Sequence, residues 1–254
     1  MEKKTAIVTG SAQGIGKAIA TELADQGYNV IVNDIDEEQA SNTVTEIIED
    51  DGEASKVIAD VSTTEGREKI FNKTLEEYGS IELLVNNAGV QTNTPFLELT
   101  EDEWDTVIGI NLKGAYFLSQ KVANHMVDKG IEGDIINISS VHEDTPTRNR
   151  NHYSASKAGM KMMTKEIALE LSDHTINVNS IAPGFIKTPK NTEVMEDEEE
   201  TKKWYDKIPA GRFAEAHEVA EVVKFLASEE AAYITGESIT IDGGLQHSTM
   251  EGLI

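Results

Sequence analysis

The chain has no cysteine among its 254 residues. Disulfide bonds and thiolate metal ligands are therefore excluded, and this composition is typical of proteins that work in a reducing compartment. The six histidines are scattered and show no metal-ligand spacing, so we expect no catalytic metal. Together these features favour a cytoplasmic location.

Long apolar runs are also missing. No run approaches the roughly eighteen residues that indicate a membrane-spanning helix. The amino terminus, Met1 to Lys4, leads directly into the first predicted strand without the apolar stretch of a signal peptide. We expect neither a membrane segment nor a membrane partner.

Basic residues are scarce: 22 lysines and arginines oppose 46 aspartates and glutamates, for a formal net charge of −24. Such a chain repels phosphates, which argues against nucleic acid as a partner. Clusters such as residues 196–200 are typical of a solvated acidic surface. Because salt screens self-repulsion, this surface fits a salt-tolerant host, and it equally fits an acidic enzyme of an ordinary bacterial cytosol.

A glycine-rich turn follows the first apolar run, Thr5 to Val8, which predicts a buried strand. Backbone N–H groups converge where a strand, a glycine turn and a helix meet, and a pyrophosphate binds well there. The candidate residues for this contact are Gly10, Gln13, Gly14, Ile15 and Gly16. The alternative is a tight turn that binds no ligand.

The second predicted strand, residues 29–33, ends at Asp34, eighteen residues beyond the last glycine of that turn. A carboxylate near this offset hydrogen-bonds a ribose 2′-hydroxyl and repels a 2′-phosphate. No arginine or lysine lies between Lys17 and Lys56 to hold such a phosphate. Asp34 therefore predicts NAD rather than NADP, although it could instead cap the next helix, for which Asp36 is better placed.

Tyr153 and Lys157 are four residues apart in a segment with helical character. That spacing places both side chains on one face of a helix. The Lys157 ammonium would favour the Tyr153 phenolate and lower a pKa that is ordinarily about 10. A tyrosine tuned in this way can exchange a proton near neutral pH, which interconversion of a carbonyl and an alcohol requires.

Strand and helix patterns alternate along the whole chain, which predicts one α/β domain over residues 1–254. The sheet would be doubly wound and parallel, with about seven strands and helices on both faces. The predicted strands are 5–8, 29–33, 56–61, 81–86, 134–140, 175–181 and 238–242, and the clearest helices are 64–78, 101–128, 153–172 and 215–228. Ligands of such a sheet bind beyond the carboxyl ends of the strands. At those ends lie Gly10, Asp34, Asp60, Asn86, Ser140 and Pro183.

Together these motifs resemble the short-chain dehydrogenase/reductase family over nearly the full length of the chain. The shared motifs are Thr9-Gly10-x3-Gly14-x-Gly16, Asn86-Asn87-Ala88-Gly89, Asn111, Ser140, Tyr153-x3-Lys157 and Pro183-Gly184. The resemblance implies a Rossmann-type fold, an oxidoreductase that uses a nicotinamide cofactor, and a homotetramer. The alternative is a non-catalytic NAD-binding regulator with the same fold.

The resemblance also implies catalytic roles. Tyr153 would be the general acid in reduction and the general base in oxidation, and Ser140 would hydrogen-bond the reacting oxygen. Lys157 would hold the nicotinamide ribose, and Asn111 would hold a water that relays the proton toward solvent. Ser139 would be a structural neighbour, while Asn111 could instead bridge backbone groups.

Cofactor contacts implied by the resemblance extend beyond the glycine turn. Asp60 and Val61 would lie beside the adenine, and Asn87 beside the adenosine ribose. The segment that holds the nicotinamide carboxamide would be formed by Pro183, Gly184, Ile186 and Thr188. Its prolines could instead only stiffen a loop.

The substrate region resembles the glucose 1-dehydrogenase branch of the family. His142 and Asn191, together with Ser140 and Tyr153, would contact a sugar or polyol. Two positions depart from that branch: Gln91 replaces its usual Glu, and Thr147 its usual Trp, which could change the accepted polyol. The alternatives are reduction of another carbonyl, either a ketone that gives a hydroxysteroid or a 3-oxoacyl thioester, with His142 as an ordinary loop histidine.

Residues 190–212 predict a substrate lid, because Trp204, Tyr205 and Phe213 lie in or beside an otherwise acidic stretch. A solvated surface excursion is the alternative. The apolar tail Leu253–Ile254 favours contact with another subunit.

Overall fold

The computed structural model describes residues 3–250 of the chain. Its strands are β1 (Thr5–Thr9), β2 (Asn29–Asp34), β3 (Glu53–Ile58), β4 (Leu83–Asn86), β5 (Gly133–Ile138), β6 (Ile176–Pro183), β7 (Ile186–Lys187), β8 (Ala214–Glu215) and β9 (Ser238–Ile241). Its α-helices are α1 (Gly14–Asp25), α2 (Glu37–Glu49), α3 (Thr64–Tyr78), α4 (Glu101–Ile108), α5 (Ala115–Lys129), α6 (Asn151–Leu171), α7 (Thr192–Glu196), α8 (Glu198–Tyr205) and α9 (Ala216–Leu226).

Seven of the strands form one parallel sheet in the order β3-β2-β1-β4-β5-β6-β9. β1 pairs with β2 on one side and with β4 on the other. The strand order reverses between β1 and β4, and ligands of doubly wound sheets bind at this switch point. The predicted doubly wound parallel sheet of about seven strands is confirmed.

Helices cover both faces of the sheet, as predicted. On one face α1, α2 and α9 pack against strand residues such as Val8, Val32 and Ile181. On the other face α3, α5 and α6 pack against Ile7 and Ile31. Successive strand side chains point to opposite faces, so Ile7 and Val8 belong to different core layers. Because both faces are buried, the central strands β1 and β4 have buried apolar side chains on both faces.

The third strand lies three residues earlier than predicted. The prediction is 56–61, whereas β3 covers Glu53–Ile58 and pairs with β2 along its whole length. It is an edge strand with exposed positions, so its apolar pattern marks the boundary weakly. Asp60 and Val61 consequently lie in the loop that follows the strand.

The helix predicted at 101–128 is interrupted. A π-helical turn, Gly109–Gly114, separates α4 from α5. This turn lies against the loop after β3, where a Cβ on Gly114 would be 2.9 Å from the Val61 carbonyl oxygen. Asn111 lies within the turn. Such insertions break the regular hydrogen-bond ladder and are frequent at functional sites.

The segment 190–212 contains α7 and α8, and β8 follows it and pairs with β7. Aromatic side chains join this segment to the end of the sheet. Phe213 is buried and stacks on Phe185 with ring centroids 3.9 Å apart. Trp204 lies 5.1 Å from Phe185 between ring centroids. The aromatic residues therefore anchor the segment.

None of the helices within residues 3–250 combines the length and the hydropathy of a membrane span. In the same range, no group of three or more histidine, aspartate and glutamate side chains is arranged to hold a metal ion. The tail Leu253–Ile254, predicted to contact another subunit, lies outside the described residues.

Candidate active site

A cleft of about 690 Å³ opens at the carboxyl ends of the central strands. It collects almost every residue that the sequence predicts for a site. Those lining it are Gly10, Gln13, Gly14, Ile15, Gly16, Asp34, Asp60, Val61, Asn87, Ser140, His142, Tyr153, Lys157, Pro183, Gly184, Ile186, Thr188 and Asn191. Asn111 is the predicted residue that does not line it.

The glycine turn is held tightly against the end of β4. Gly10 has a φ of +60°, and a Cβ there would lie 2.8 Å from the Ala88 Cα atom. A Cβ on Gly16 would lie 2.2 Å from the Gly10 carbonyl oxygen. The Asn87 side chain donates hydrogen bonds to the carbonyl oxygens of Thr9 and Gly10, at 2.9 and 2.8 Å. Asn87 therefore fixes the turn, and its amide nitrogen is committed to the backbone.

The amino terminus of α1 faces the cleft without a side-chain cap. Gln13 is the N-cap residue but makes no capping hydrogen bond, and no acidic residue lies in the first turn. Its backbone N–H groups are therefore left for an external anion, which the helix dipole also favours. The turn and the helix together fit the pyrophosphate of a dinucleotide.

Asp34 is fixed in the cleft wall by the backbone. Its carboxylate accepts hydrogen bonds from the N–H groups of Ala12, Ile35 and Asp36, at 3.1, 2.8 and 3.2 Å. The helix that follows is capped by Asp36, which accepts from the Gln39 N–H at 3.0 Å. The prediction that Asp36 is the better cap is confirmed.

Asp60 and Val61 form the floor beside Asp34. The Asp60 carboxylate accepts a hydrogen bond from the Ser62 N–H at 2.8 Å, and the Arg67 guanidinium donates to the Val61 carbonyl oxygen at 2.7 Å. These contacts hold the loop in place. An apolar Val61 side chain next to fixed carboxylates suits a purine base and its ribose.

The segment after β6 forms the wall opposite the glycine turn. Gly14 has a φ of +59°, and a Cβ there would lie 3.4 Å from the Thr188 methyl group. A Cβ on Gly184 would lie 2.8 Å from the Asp242 Cβ atom, so glycine is required where the chain leaves β6. Thr188 therefore faces the glycine turn across the cleft.

The charged side chains of the cleft are divided between its two ends. Asp34, Asp36 and Asp60 line the end beside β2 and β3, which we call the acidic end. Arg150, Lys157 and Lys190 line the end beside α6 and the chain after β7, which we call the cationic end. Among the described lining residues, no arginine or lysine lies at the acidic end.

Tyr153 lies near the start of α6 and is half-buried. Burial raises the pKa of its hydroxyl above the ordinary value of 10.0, while a hydrogen bond with Ser140 and the charge of Arg150 lower it in part. This direction is opposite to the prediction from the sequence, because desolvation outweighs the neighbouring groups. Arg150, rather than Lys157, is the cation that favours the phenolate.

Lys157 is 3% exposed, and its Nζ donates a hydrogen bond to the Ile138 carbonyl oxygen at 2.7 Å. The Nζ atom lies 5.7 Å from the centroid of the Tyr153 ring. Burial first, and the charge of Lys190 second, lower the pKa of Lys157 to about 7. Because this lysine is partly neutral at neutral pH, it does little to favour the Tyr153 phenolate in this state.

The two serines after β5 are oriented differently. The Ser140 hydroxyl accepts a hydrogen bond from the His142 N–H at 3.2 Å and interacts with Tyr153. The Ser139 hydroxyl donates to the Lys157 carbonyl oxygen at 3.4 Å. This geometry favours Ser140 as the serine that contacts substrate and Ser139 as a structural neighbour.

Asn111 is fully buried away from the cleft. Its Oδ1 accepts a hydrogen bond from the Val90 N–H at 2.8 Å, and its Nδ2 donates to the Val90 carbonyl oxygen at 2.9 Å and to the Ser156 hydroxyl at 3.2 Å. Both amide hydrogens are used. The side chain therefore bridges the loop after β4 to α6, and the role of Asn111 in holding a relay water stays a prediction.

His142 and Asn191 lie at the cationic end. The His142 Nδ1 lies 3.0 Å from the Thr145 carbonyl oxygen, which can only accept, so Nδ1 carries the proton and Nε2 is left as an acceptor. Burial lowers the pKa of His142, which keeps the ring neutral near pH 7. The Asn191 amide donates to the Ile186 carbonyl oxygen at 2.8 Å. Both side chains are polar, uncharged groups suited to hydroxyls.

Comparisons with known proteins agree with this geometry. A family model described as enoyl-(acyl carrier protein) reductase matches residues 10–246. The chain is 40% identical over 245 residues to a 3-oxoacyl-[acyl-carrier-protein] reductase of Thermotoga maritima, covering 96% of this chain and 98% of that one. It is 41% identical over 244 residues to glucose 1-dehydrogenase 2 of Bacillus subtilis, covering 95% and 94%. A gluconate 5-dehydrogenase from Burkholderia cenocepacia, solved in complex with NADP and tartrate, superposes with a TM-score of 0.90 at 30% identity, covering 97% of this chain and 96% of that one.

The chain belongs to the short-chain dehydrogenase/reductase family. It is therefore an oxidoreductase that acts on a small molecule with a nicotinamide cofactor. In this short-chain dehydrogenase/reductase the uncapped start of α1 fits the cofactor's pyrophosphate. In its protonated form Lys157 has three donors, of which the Ile138 carbonyl oxygen takes one, so two remain for a ligand.

The large lining side chains to which the sequence assigns no binding role include Arg150, Phe185 and Lys190. Arg150 is the N-cap residue of α6, and Lys190 lies between two predicted site residues, Thr188 and Asn191. Basic residues flanking predicted site positions, in a chain with so few of them, are the signal that could identify them. Phe185 carries no such signal, because its role depends on the packing of the chain after β7.

Proposed function

We propose that this protein oxidises a hydroxyl group of a sugar or polyol with NAD, in the manner of a glucose 1-dehydrogenase. The observation that carries the proposal is the grouping of Ser140, Tyr153 and Lys157 with His142 and Asn191 around one end of the cleft. The first three supply proton transfer and oxygen stabilisation. The last two supply neutral hydrogen-bonding groups for a polyhydroxylated substrate.

Tyr153, Ser140 and Lys157 have different roles in the proposed reaction. Tyr153 takes the proton of the substrate hydroxyl in oxidation and returns it in reduction. Ser140 hydrogen-bonds the same oxygen and stabilises the charge that develops there. Lys157 orients the nicotinamide ribose. When bound, NAD accepts the hydride that leaves the substrate carbon.

NAD, rather than NADP, is the cofactor that the acidic end favours. Asp34 would accept a hydrogen bond from the ribose 2′-hydroxyl and repel a 2′-phosphate. The two nearest lysines in sequence are engaged elsewhere: Lys17 pairs with Glu46 at 2.6 Å and Lys56 with Glu37 at 3.3 Å. The gluconate 5-dehydrogenase relative was solved with NADP, so cofactor choice has to be argued from this chain's own residues.

The second candidate is interconversion of a hydroxysteroid and its ketone, or reduction of a 3-oxoacyl thioester, and the identity to a 3-oxoacyl-[acyl-carrier-protein] reductase favours the thioester. An acidic carrier protein would need a basic docking surface, however, and this chain has a net charge of −24. A non-catalytic NAD-binding regulator has less support, since Ser140, Tyr153 and Lys157 are all present in the cleft.

We also propose a single NAD-binding and catalytic domain over residues 1–254, with residues 190–212 as a substrate lid, and a cytoplasmic homotetramer. Trp204 supports the lid, because it lines the cleft from α8. Exposed apolar side chains on the outer helices support the assembly: Trp104, Tyr116, Phe117 and Met162.

A substrate panel tests the proposed function. The full-length protein is assayed with aldoses, polyols and a hydroxysteroid in the presence of NAD or NADP, and with a 3-oxoacyl thioester in the presence of NADH or NADPH. The expected result is NADH formation from at least one sugar or polyol. Turnover confined to the steroid or the thioester would establish the second candidate, and no turnover with NAD bound would favour the regulator.

A further inference from the structure

The cationic end of the cleft contains an excess of positive charge among its lining side chains. Three cationic side chains line it, whereas no carboxylate does so among the described residues. Two acids on the adjoining turn, Glu143 and Asp144, are already paired with Lys161. This local excess runs against a chain in which acidic residues outnumber basic ones by 46 to 22.

Arg150 is held so that one edge of its guanidinium group is available. Its Nε donates a hydrogen bond to the Asn93 side chain at 2.6 Å. The loop that carries Asn93 is tied down in turn by the Thr94 N–H, which donates to the Asn149 carbonyl oxygen at 2.9 Å. Within residues 3–250, neither Nη nitrogen of Arg150 has a hydrogen-bond or ion-pair partner. A guanidinium edge of this kind matches the two oxygens of a carboxylate or phosphate.

Lys190 adds a second cation to the same end. It lines the cleft from the short turn Pro189–Asn191, and much of its side chain remains exposed. Partial burial first, and the charge of Arg150 second, lower the pKa of Lys190. Its own charge contributes to the lowered pKa of Lys157. A bound anion would reduce the repulsion among Arg150, Lys190 and the protonated form of Lys157.

We propose that the substrate carries an anionic oxygen group, a carboxylate or a phosphate monoester, which Arg150 and Lys190 bind while the reacting hydroxyl lies at Tyr153. This inference rests on the proposed function and narrows its substrate class from neutral sugars to sugar acids or sugar phosphates. Arg150 is the specificity-determining residue for this group. The competing explanation is that the two cations bind the cofactor's phosphates.

Matched substrates and variants test the inference. We would compare kcat/KM for two neutral compounds, D-glucose and D-sorbitol, with kcat/KM for D-gluconate and D-glucose 6-phosphate. The variants are Arg150→Gln and Lys190→Gln. Their controls, Arg148→Gln and Lys202→Gln, remove the same charges from exposed positions that do not line the cleft. Melting temperatures check that each variant folds, and Arg150→Lys tests whether charge alone suffices.

The wild-type protein is expected to favour one anionic compound over its neutral counterpart by at least about tenfold. Each cleft variant should reduce that ratio by about tenfold, while the two controls preserve it. A wild-type ratio near one, or a ratio that the cleft variants leave unchanged, would overturn the inference. Loss of NAD affinity with an unchanged ratio would assign the cations to the cofactor.

Binding measurements separate this inference from the proposed function. Calorimetric titration of the protein–NAD complex with gluconate or glucose 6-phosphate needs no turnover. Binding that is lost in Arg150→Gln, without oxidation of any compound, would keep the anion site and reject the proposed reaction. Oxidation of neutral sugars with no binding of either anion would keep the reaction and reject the anion site. Neither binding nor oxidation would reject both.

Discussion

Burial shifts the pKa values of Tyr153 and Lys157 in opposite directions. The pKa of Tyr153 is raised above 10.0 and that of Lys157 is lowered to about 7. Because oxidation needs the phenolate as a base, its rate should increase with pH, whereas reduction needs the protonated phenol and should be favoured at lower pH. Ser140 and Arg150 lower the Tyr153 pKa in part, so the pH at which the oxidation rate increases lies closer to neutral than burial alone would place it.

Residue chemistry can be predicted from sequence where it depends on local spacing. The four-residue interval between Tyr153 and Lys157 and the glycine turn both bring the expected groups into the cleft. Asn111 and Arg150 differ, because their roles depend on partners far along the chain. Asn111 bonds to Ser156, and Arg150 to Asn93. No local pattern reveals such pairs.

The preference for NAD over NADP depends on a single residue, because one carboxylate, that of Asp34, faces the expected position of the ribose. A hydrogen bond from the 2′-hydroxyl to Asp34 is worth roughly 1.5–3 kcal/mol. We therefore predict that kcat/KM favours NAD over NADP by at least about tenfold. The double substitution Asp34→Ser with Ile35→Arg should narrow or invert that preference, because it removes repulsion and supplies a phosphate partner. Steady-state kinetics with both cofactors measure this.

Asp36→Ser is the matched control. It removes a neighbouring carboxylate but keeps a side chain that can cap α2, so it should change the preference less than the double substitution. Equal use of NADP and NAD by the wild-type protein would contradict the assignment. It would mean that the backbone hydrogen bonds of Asp34 turn its carboxylate away from the ribose.

Secondary-structure elements follow the sequence where periodicity is strong. The central strands have buried apolar side chains on both faces and are predicted to within two residues at each end, whereas the edge strand β3 is displaced by three. The π-helical turn Gly109–Gly114 is not predictable from periodicity, because α4 and α5 continue one helical pattern through it. Its position is set by contact with the loop after β3, where Gly114 meets Val61.

The proposed lid gives a prediction at the scale of elements. Trp204 extends from α8 into the cleft and packs on Phe185. Trp204→Ala should raise the substrate KM by about tenfold, because the indole ring no longer covers the substrate. The affinity for NAD should change by less than about twofold. Trp204→Phe retains an aromatic ring and should recover most of the loss. An unchanged KM in Trp204→Ala would show that the segment is a surface excursion.

Charge is distributed unevenly over the whole molecule. The net charge is −24, yet one end of the cleft is cationic. The positive potential at this end of the cleft would attract an anionic substrate, whereas the acidic remainder of the surface repels polyanions such as nucleic acids. The salt dependence of stability follows from the same imbalance.

We predict that the melting temperature rises between dilute buffer and molar potassium chloride. The Debye length falls from about 10 Å at 0.1 M to about 3 Å at 1 M, which reduces repulsion among the acidic side chains. Calorimetric or fluorescence melting curves measure the effect. Sodium chloride should act alike, since screening depends on ionic strength; a flat or falling melting temperature would reject a salt-adapted surface.

The most direct test of the account is turnover of Tyr153→Phe beside its affinity for NAD. The phenyl ring preserves packing but has no exchangeable proton, so kcat should fall by about 10²–10⁴-fold while the NAD dissociation constant stays within about twofold. Tyr233→Phe, the same change at a fully exposed position, should leave both values unaltered. A Tyr153→Phe protein that retains more than about a tenth of the wild-type kcat would contradict general acid–base catalysis by this residue.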